Sequence, residues 1–498
     1  MTTLLNEIEA SQSLVLAAED CPPADFSRLH VFQAHDERAL QGLCAHGPVL
    51  IRGGRGSGKS ALMIEAANRL DLSGSAAIGV YLSLRHVPLL RSTGQEYEKL
   101  FCALLSEEID RKLSKREEAQ TGFQTTYDVS SLQRQLRELV ERTSKRVVLL
   151  FDDVAHIGRE ASLEEFFGIF RTISSNAVSC KASIYPGVTR FGVRFDVYND
   201  ATVFDLARDE RASGYADFFS RVLGVRFPSL FTRIDSAKSL STKDVAAFLG
   251  RTVVGNMRGF VSACSRLDTQ SQIGLPSLEN VLKLLASDYY WPLLEELEPK
   301  LGIYEPLVET ARQLAEAIFK LAGSQNRVPT VIVHRDLVQS LGKTIEILEY
   351  AGFISKREAS RAMRSGGRGP RYVLNLANLL EHIPQARLTR GVFTEWLNPN
   401  SEQPTDIQAA SPAFKIVQPQ PLLDGELKVL ALPTERLRKS NIYPYGLTEA
   451  KLAELTQAGF TTIGALASAS PGALKQVPGV GDKWVARIQS VVGQAVWM

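Results

Sequence analysis

A glycine-rich segment near residue 55 constrains the fold of this chain more than any other feature. It reads Gly53-Gly-Arg-Gly-Ser-Gly-Lys-Ser60 and fits the pattern G-x-x-x-x-G-K-[ST]. The apolar run Pro48-Val-Leu-Ile-Arg52 before it is typical of a buried strand, and Ala61 to Leu70 after it is typical of a helix. A glycine-rich loop between a strand and a helix predicts a phosphate-binding loop.

Each residue type in such a loop has its own task. Glycines let the backbone curl so that successive N–H groups face a phosphate, and the next helix adds the partial positive charge of its N-terminus. Lys59 is expected to reach the β- and γ-phosphates of ATP, and the Ser60 hydroxyl is expected to hold Mg²⁺. The alternative is a turn that binds nothing. The predicted ATP-binding residues of the loop are Gly53, Gly54, Gly56, Ser57, Gly58, Lys59, Ser60 and Ala61.

A second run supplies the acidic groups that a nucleotide site needs. Arg146-Val-Val-Leu-Leu-Phe-Asp-Asp153 is apolar up to two carboxylates, as in a central parallel strand that is buried on both faces. Asp152 is the predicted Mg²⁺ ligand, and Asp153 is the predicted group that orients or deprotonates an attacking water. The alternative is a strand followed by an Asx-rich turn.

Past the next strand pattern, the segment Tyr185-Pro-Gly-Val-Thr-Arg-Phe-Gly192 places a cation near the same sheet edge. Arg190 is the predicted sensor of the γ-phosphate, and Arg194 is the reserve. Either residue would act within its own chain or, as an arginine finger, on a neighbouring subunit. The alternative is an exposed surface arginine.

Length and composition limit the remaining options. A chain of 498 residues is too long for one core, and alternating strand and helix patterns predict a parallel α/β sheet with its ligand at the carboxyl ends of the strands. The five scattered cysteines lack a C-x-x-C pair, which argues against a zinc site or a disulfide framework. Apolar runs shorter than about eighteen residues and an acidic N-terminal segment predict no membrane span and no signal peptide. A cytoplasmic location is expected.

These motifs, together with Gly255-Asn-Met-Arg-Gly-Phe260 in a helical segment, resemble those of AAA+ ATPases of the origin-recognition initiator type. They also resemble those of the related STAND signalling ATPases. The resemblance implies a helical lid in which Arg258 contacts the γ-phosphate and Asn256 supports it. Asp153 stands where many of these proteins have the longer glutamate, which predicts slow hydrolysis. Met257 stands where proline is common.

Residues 305–385 resemble a winged helix, the module that follows the lid in initiator-type ATPases. Its predicted wing, 356–371, is strongly basic and suits contacts with DNA phosphates or a minor groove. The predicted DNA contacts are Arg364, Arg368 and Arg371. A solvated basic loop on a protein-binding winged helix is the alternative.

A proline-rich stretch from Asn398 to about Pro433 is expected to be a tether. Beyond it, two helical halves resemble the helix-hairpin-helix domain found in the bacterial RNA polymerase α subunit and in repair proteins. The turn Pro478-Gly-Val-Gly481 would grip one backbone phosphate. The predicted contacts are Gly479, Gly481, Lys483 and Arg487, and protein docking is the alternative.

The predicted fold class is α/β: a P-loop NTPase parallel sheet with a helical lid, then a winged helix and a small all-α helix-hairpin-helix domain. The expected function is DNA binding under the control of ATP, with self-association or a protein partner as further options and no membrane partner. A STAND-type switch that binds proteins is the alternative function, and a metabolic kinase is disfavoured because no further substrate motif appears. The predicted domains are 1–25 (extension), 26–235 (nucleotide-binding), 236–298 (lid), 299–390 (winged helix), 391–440 (linker) and 441–498 (helix-hairpin-helix).

Overall fold

The fold is described from a computed structural model. It describes residues 17–72, 74–86, 88–89, 92–114, 122–154, 160–187, 191–192, 194–237, 239–325, 327–401, 403–414, 417, 428–439 and 446–497. The predicted sensor Arg190 and most of the predicted N-terminal extension lie outside these ranges.

Five parallel strands form the central sheet, in the spatial order β2-β3-β4-β1-β5. The strands are β1 (Val49–Arg52), β2 (Ala77–Ser83), β3 (Arg146–Asp152), β4 (Val178–Ile184) and β5 (Thr202–Asp205). The helices of this unit are α1 (Pro23–Leu29), α2 (Ala34–Cys44), α3 (Lys59–Leu70), α4 (Gly94–Ser114), α5 (Val129–Thr143), α6 (Glu160–Ile173) and α7 (Val197–Asp200).

Helices cover both faces of this sheet. Apolar side chains of α4, α5 and α6 pack on one face, and those of α2 and α3 pack on the other. Every residue of β3 from Val147 to Asp152 is buried, which agrees with the unbroken apolar run in the sequence. The predicted α/β class with a parallel sheet is confirmed.

The lid is larger than the sequence indicates. Its helices are α8 (Tyr215–Arg226), α9 (Pro228–Ala237), α10 (Thr242–Thr252), α11 (Met257–Asp268), α12 (Leu275–Leu285) and α13 (Trp291–Leu297). The rings of Phe219 on α8 and Phe260 on α11 lie 4.7 Å apart in one apolar core. α8 and α9 begin before the expected boundary at residue 235, and they pack with the lid helices.

A third unit combines a helix pair with a small mixed sheet. Its elements are α14 (Leu307–Gln325), β6 (Thr330–Val333), α15 (Arg335–Ala351), β7 (Ile354–Ala362), β8 (Arg368–Leu374), α16 (Leu376–Glu381), α17 (Arg390–Leu397) and β9 (Thr405–Ile407). The sheet order is β7-β8-β6-β9, in which β7 and β8 form an antiparallel hairpin and β9 lies parallel to β6. The backbone of α15 is non-helical at Leu341, where two helical segments meet at a kink.

Much of the predicted tether is folded onto this unit, so the expected linker start at residue 391 is wrong. Trp396 on α17 is 1% exposed and stacks on Phe248 of the lid at 6.4 Å. Thr405–Ile407 adds the strand β9, and Phe414 is buried. Apolar residues between the prolines supply the contacts that composition alone does not reveal.

The C-terminal unit comprises the described residues from Lys428 onward. Its helices are α18 (Glu449–Gln457), α19 (Ile463–Ala467), α20 (Pro471–Lys475) and α21 (Asp482–Trp497). Val429 and Leu430 belong to its core together with Ile488 and Val491 of α21. The unit therefore begins before the predicted boundary at 441, because a short 3-10 helix at Lys428–Ala431 completes that core.

The packing of α17 provides a test of the folded linker. Trp396→Ala removes a buried ring and a hydrogen bond from Nε1 to the Arg327 carbonyl (2.7 Å), so it should destabilise the lid and third unit by about 3–5 kcal/mol. Urea unfolding of the full chain measures the shift. Tyr198→Ala is the control, because Tyr198 is 91% exposed and its loss should change stability by less than about 0.5 kcal/mol. Equal stability of both variants would restore the flexible-tether interpretation.

Candidate nucleotide site and nucleic-acid interface

The glycine-rich segment forms a loop between β1 and α3, as the sequence predicts. Gly58 has a φ of 98° and forms the N-cap of α3. Lys59 Nζ donates to the carbonyl oxygens of Gly53 (2.8 Å) and Gly54 (3.1 Å), and it lies 3.7 Å from the centre of the Tyr185 ring. Burial lowers the pKa of Lys59 to about 8, so a nearby anion would favour its protonated form.

The loop lines a pocket that suits a polyanion. Gly56, Ser57, Gly58, Lys59, Ser60 and Ala61 all line it, as does Arg55. Within the described part of the chain, the buried atoms Arg55 Nε and Nη1 and Ser57 Oγ have no hydrogen-bond partner. Unpaired buried donors of this kind are costly, and phosphate oxygens would satisfy them.

Asp152 is held firmly at the carboxyl end of β3. Its side chain is fully buried, Tyr81 donates to Oδ2 (3.0 Å), and Ser183 donates to Oδ1 (2.5 Å). The parallel register places β2, β3 and β4 side by side, with Ser83 opposite Asp152. The sheet therefore fixes the orientation of this carboxylate before any metal is bound.

Asp153 lies just past the strand, in a constrained backbone conformation. Its φ is +54°, a region that residues other than glycine rarely adopt. Arg85 Nε donates to Asp153 Oδ2 at 2.6 Å, and Ser83 Oγ donates to the same oxygen at 3.3 Å. Burial raises the pKa of Asp153 to about 7, although Arg85 opposes the shift. A carboxyl with such a pKa suits proton transfer near neutral pH.

Two charged residues of this site escaped the sequence analysis. Glu19 accepts from Arg85 Nη2 at 3.0 Å, and one carboxylate oxygen from each of Glu19, Asp152 and Asp153 lies within 4.8 Å of the others. Neither Glu19 nor Arg85 belongs to a motif, because Glu19 precedes the first helix and Arg85 follows β2. The only usable signal was that Arg85 follows a strand next to β3, at the same sheet edge.

The lid contacts the loop directly at Gly56. The backbone N–H groups of Met257 and Arg258 donate to the Gly56 carbonyl at 3.0 and 3.3 Å. Asn256 caps α11 by accepting from Gly259 N–H (2.9 Å), and its amide donates to the Arg55 carbonyl. Arg258 lines the pocket, so the structure brings both lid residues of the predicted motif to the phosphate loop.

The opposite part of the pocket is apolar. Its lining includes Leu29, Val31 and Phe32 before α2 and Val222 and Val261 from the lid. His30 stacks on Phe26 at 4.2 Å, and burial lowers the pKa of His30 to about 4, so this ring is neutral. Such a lining suits a flat aromatic base.

Two further cations line the pocket, whereas the reserve sensor does not. Arg208 forms an ion pair with Asp36 at 2.5 Å, and Arg226 donates to the Leu29 carbonyl at 3.0 Å. Arg194 is exposed and lies beside Glu164 and Glu165 in a separate surface depression. Arg194 therefore does not line the pocket that contains Lys59, and its role as a sensor stays a prediction.

The third unit covers the phosphate loop from outside. A Cβ atom on Gly54 would lie 3.2 Å from the Glu349 carbonyl of α15. The rings of Tyr185 and Tyr350 lie 4.9 Å apart, and Lys343 Nζ donates to the Gly187 carbonyl at 3.1 Å. The helix α15 thus rests on the nucleotide-binding unit.

The basic hairpin of this unit has an inner and an outer set of arginines. Arg371 is 2% exposed and lies 2.9 Å from Glu358 and 3.4 Å from Glu210, and Arg357 pairs with Glu210 at 2.7 Å. Arg371 is therefore buried and paired within the protein, so of the three predicted DNA contacts on this hairpin it is the one that solvent does not reach. Arg364 and Arg368 are exposed on the outer side.

The hairpin of the C-terminal unit faces solvent. Gly479 (φ +72°), Gly481 and Lys483 are exposed, and Arg487 is half-buried one turn further along α21. Lys451 Nζ donates to the Gly479 carbonyl at 3.3 Å and lies 4.6 Å from the Trp484 ring. Lys451 thus braces the hairpin from within, a contact that the sequence did not predict.

The tight lid contact generates a prediction about Gly56. Gly56→Ala would place a Cβ 2.6 Å from Asn256 Oδ1 and 2.7 Å from Arg258 Cβ at a φ of +76°, so the lid should separate from the loop. Hydrogen exchange of the Met257 and Arg258 amides should become at least about tenfold faster. The reason is that alanine at this positive φ adds backbone strain of about 1–2 kcal/mol to the steric clash, and both favour separation of the lid. Gly47→Ala is the control: its φ is +90°, but no atom lies within 4 Å of the added Cβ. Unchanged exchange in Gly56→Ala would contradict the contact.

Comparisons with known proteins agree with the first unit. Residues 30–179 match a family model described as AAA ATPase domain, so the chain carries an AAA ATPase domain with the P-loop NTPase fold in this region. No curated protein matches the chain in sequence.

Similar solved structures include a Walker-type ATPase of Pyrococcus abyssi (12% identity, TM-score 0.39, covering 70% of this chain and 93% of that chain). They also include the Aeropyrum pernix ORC1 protein in complex with DNA (13%, 0.31, 78% and 95%) and the Thermotoga maritima RuvB branch migration motor (14%, 0.31, 71% and 96%). None of the helices in the described ranges combines the length and apolar character that a membrane crossing needs.

Proposed function

We propose that this protein is an ATP-hydrolysing AAA+ protein that binds DNA backbones through its third and C-terminal units. The observation that carries the proposal is the pairing of a phosphate loop with a buried carboxylate, Asp153, at one pocket. An apolar cleft for a base and unpaired donors for phosphates adjoin that carboxylate.

In this proposal, each residue of the pocket has one task. Lys59 would exchange the carbonyls of Gly53 and Gly54 for β- and γ-phosphate oxygens, and Arg55 and Arg258 would pair with the remaining charge. Ser60 and Asp152 would hold Mg²⁺, which would neutralise phosphate charge when bound. The oxygens of the Asp152 side chain are already oriented by Tyr81 and Ser183.

Asp153 would orient and deprotonate the attacking water. Its raised pKa suits this role, but its short side chain and its ion pair with Arg85 both restrict its reach. We therefore propose slow hydrolysis, which suits a switch better than a motor.

DNA binding would use the outer cations and the C-terminal hairpin. Arg364 and Arg368 are exposed, and Lys483 follows the turn 478–481, whose Gly479 and Gly481 are exposed. The negative charge of Asp482 is offset by its ion pair with Lys475 at 2.5 Å, which leaves the hairpin more favourable for an anion. These contacts would recognise phosphates and carry little sequence preference.

A protein-binding switch is the second candidate function. The packing of α15 on Gly54 and Gly187 favours it, because a closed state of this kind would hide one face of the third unit until the nucleotide changes. A salt-independent interaction with a protein, without DNA affinity, would support this candidate over the first.

Two variants separate nucleotide binding from hydrolysis. Lys59→Ala should abolish ATP binding, because it removes the charge on the β- and γ-phosphates. Asp153→Asn should leave ATP bound and lower turnover by about 10²-fold or more, because it removes the base. Equilibrium binding of labelled ATP and phosphate release measure the two effects, with the exposed Arg111→Ala as the control. Full turnover in Lys59→Ala would refute the nucleotide site.

The DNA contacts are tested by the dependence of affinity on salt. Arg364→Ala combined with Arg368→Ala should weaken binding about equally for all DNA sequences and reduce the slope of log K against log salt by roughly 0.9 per lost contact. Lys483→Ala should act in the same way at the other unit. Arg28→Ala combined with Arg111→Ala removes two exposed cations elsewhere and is the matched control. An unchanged slope in the first variant would show that the hairpin does not bind phosphates.

A further inference from the structure

The C-terminal unit is anchored beside the nucleotide pocket by Asp20. The two carboxylate oxygens of Asp20 accept hydrogen bonds from Ser490 Oγ (2.6 Å) and Gln494 Nε2 (2.7 Å). Gln494 is only 5% exposed, and its amide also donates to Ser490 Oγ on the same helix at 3.4 Å. Both donors lie on α21, the helix that begins at the exposed hairpin 478–481.

The turn that carries Asp20 also carries a residue of the nucleotide site. Ala18–Asp20 is a single 3-10 turn whose Ala18 packs against the apolar cluster that contains Ala61 of α3. Glu19 lines the pocket and accepts from Arg85, which in turn donates to Asp153. A short series of contacts therefore connects α21 with the predicted catalytic carboxylate.

Arg85 divides its charge between two acceptors. Its Nη2 faces Glu19 at 3.0 Å and its Nε faces Asp153 at 2.6 Å, and the side chains of all three residues are less than one fifth exposed. If the Ala18–Asp20 turn moved away, the guanidinium would direct its whole charge to Asp153. A carboxylate held more tightly by a guanidinium turns less readily toward a water molecule.

We propose that the C-terminal unit sets the rate of ATP hydrolysis through this anchor. While α21 holds Asp20, Glu19 shares the charge of Arg85, so Arg85 holds Asp153 less tightly and Asp153 can turn toward water. When α21 leaves, Arg85 restrains Asp153, so that turnover falls and ATP remains bound. Glu19 is a positioning residue in this scheme, which rests on the proposed function.

The way in which the C-terminal unit docks fits this control. A second link is the ion pair between Lys428 Nζ and Glu305 Oε1 at 2.7 Å. Because the Lys428 side chain is 60% exposed, this ion pair contributes little to the stability of docking. The hydrogen bonds to Asp20 are the link that leads to the nucleotide site, because Asp20 follows Glu19 in the same 3-10 turn. Because the hairpin at the other end of α21 stays exposed, a phosphate backbone can engage the unit while it is docked.

The test uses the full chain with Ser490→Ala and Gln494→Ala combined. Turnover should fall about tenfold, because two hydrogen bonds to a carboxylate are lost, while the KM for ATP stays within about twofold. Glu19→Gln should lower turnover by a similar factor, and adding it to the double variant should cause no further fall. Arg438→Ala is the control, since it removes an exposed charge from the same unit and should leave turnover unchanged.

A second measurement follows docking without using catalysis. The Asp20 and Cys21 amides, which donate to the carbonyls of Ala17 and Ala18, should exchange hydrogen faster in the Ser490→Ala, Gln494→Ala variant than in Arg438→Ala. Faster exchange with unchanged turnover overturns the inference, and so does unchanged exchange. Both outcomes leave the proposed function intact. Absence of ATP hydrolysis in the wild type overturns the proposed function and the inference together.

Discussion

Buried charge at the carboxyl edge of the parallel sheet is the constraint on which the rest of this structure depends. Lys59, Arg85, Asp152 and Asp153 are all largely removed from water, and a charge in such a place is stable only beside partners. The parallel sheet supplies those partners because neighbouring strands end together, which brings Tyr81 and Ser183 to Asp152. One cation of this site lacks such partners: the buried Nε and Nη1 atoms of Arg55 have no acceptor in the described part of the chain. A polyphosphate would complete this set of charges.

The third unit and the C-terminal unit both contact the region of this site, each through a small number of polar groups. The third unit is held through Glu210, which is buried between Arg357 and Arg371; burial disfavours its charged form, but Arg357 keeps the pKa of Glu210 below its ordinary value. A buried ion pair of this kind contributes little net stability, because desolvation offsets the attraction, yet loss of one partner is costly. The closed arrangement is therefore specific without being strongly favoured. The hydrogen bonds of Asp20 to α21 likewise involve only a few polar groups.

Motifs of consecutive residues predicted the phosphate loop and the acidic strand end. Other residues of the site come from segments that are distant in sequence, and some of these were not predicted. The phosphate loop and the strand ending in Asp152 and Asp153 were predictable because a strand, a glycine turn and a helix are adjacent in sequence. Glu19 and Arg85 were not, because their roles arise only when distant segments meet at one edge. Arg371 and Arg368 lie on one hairpin and look alike in the sequence, because each adds one positive charge. In the structure Arg371 is buried beside Glu210, whereas Arg368 is exposed. The folded state of residues 390–407 was missed because a high proline content obscured Trp396 and the strand β9.

The contact between α15 and the phosphate loop links the nucleotide site directly to the third unit. Lys59 packs on one side of the Tyr185 ring, and Tyr350 of α15 packs against the same ring. A phosphate that draws Lys59 from this ring changes the surface on which α15 rests, and a ligand that draws α15 away changes the surroundings of Lys59. Because both ligands act on one shared side chain, each must alter the affinity of the other by the same factor.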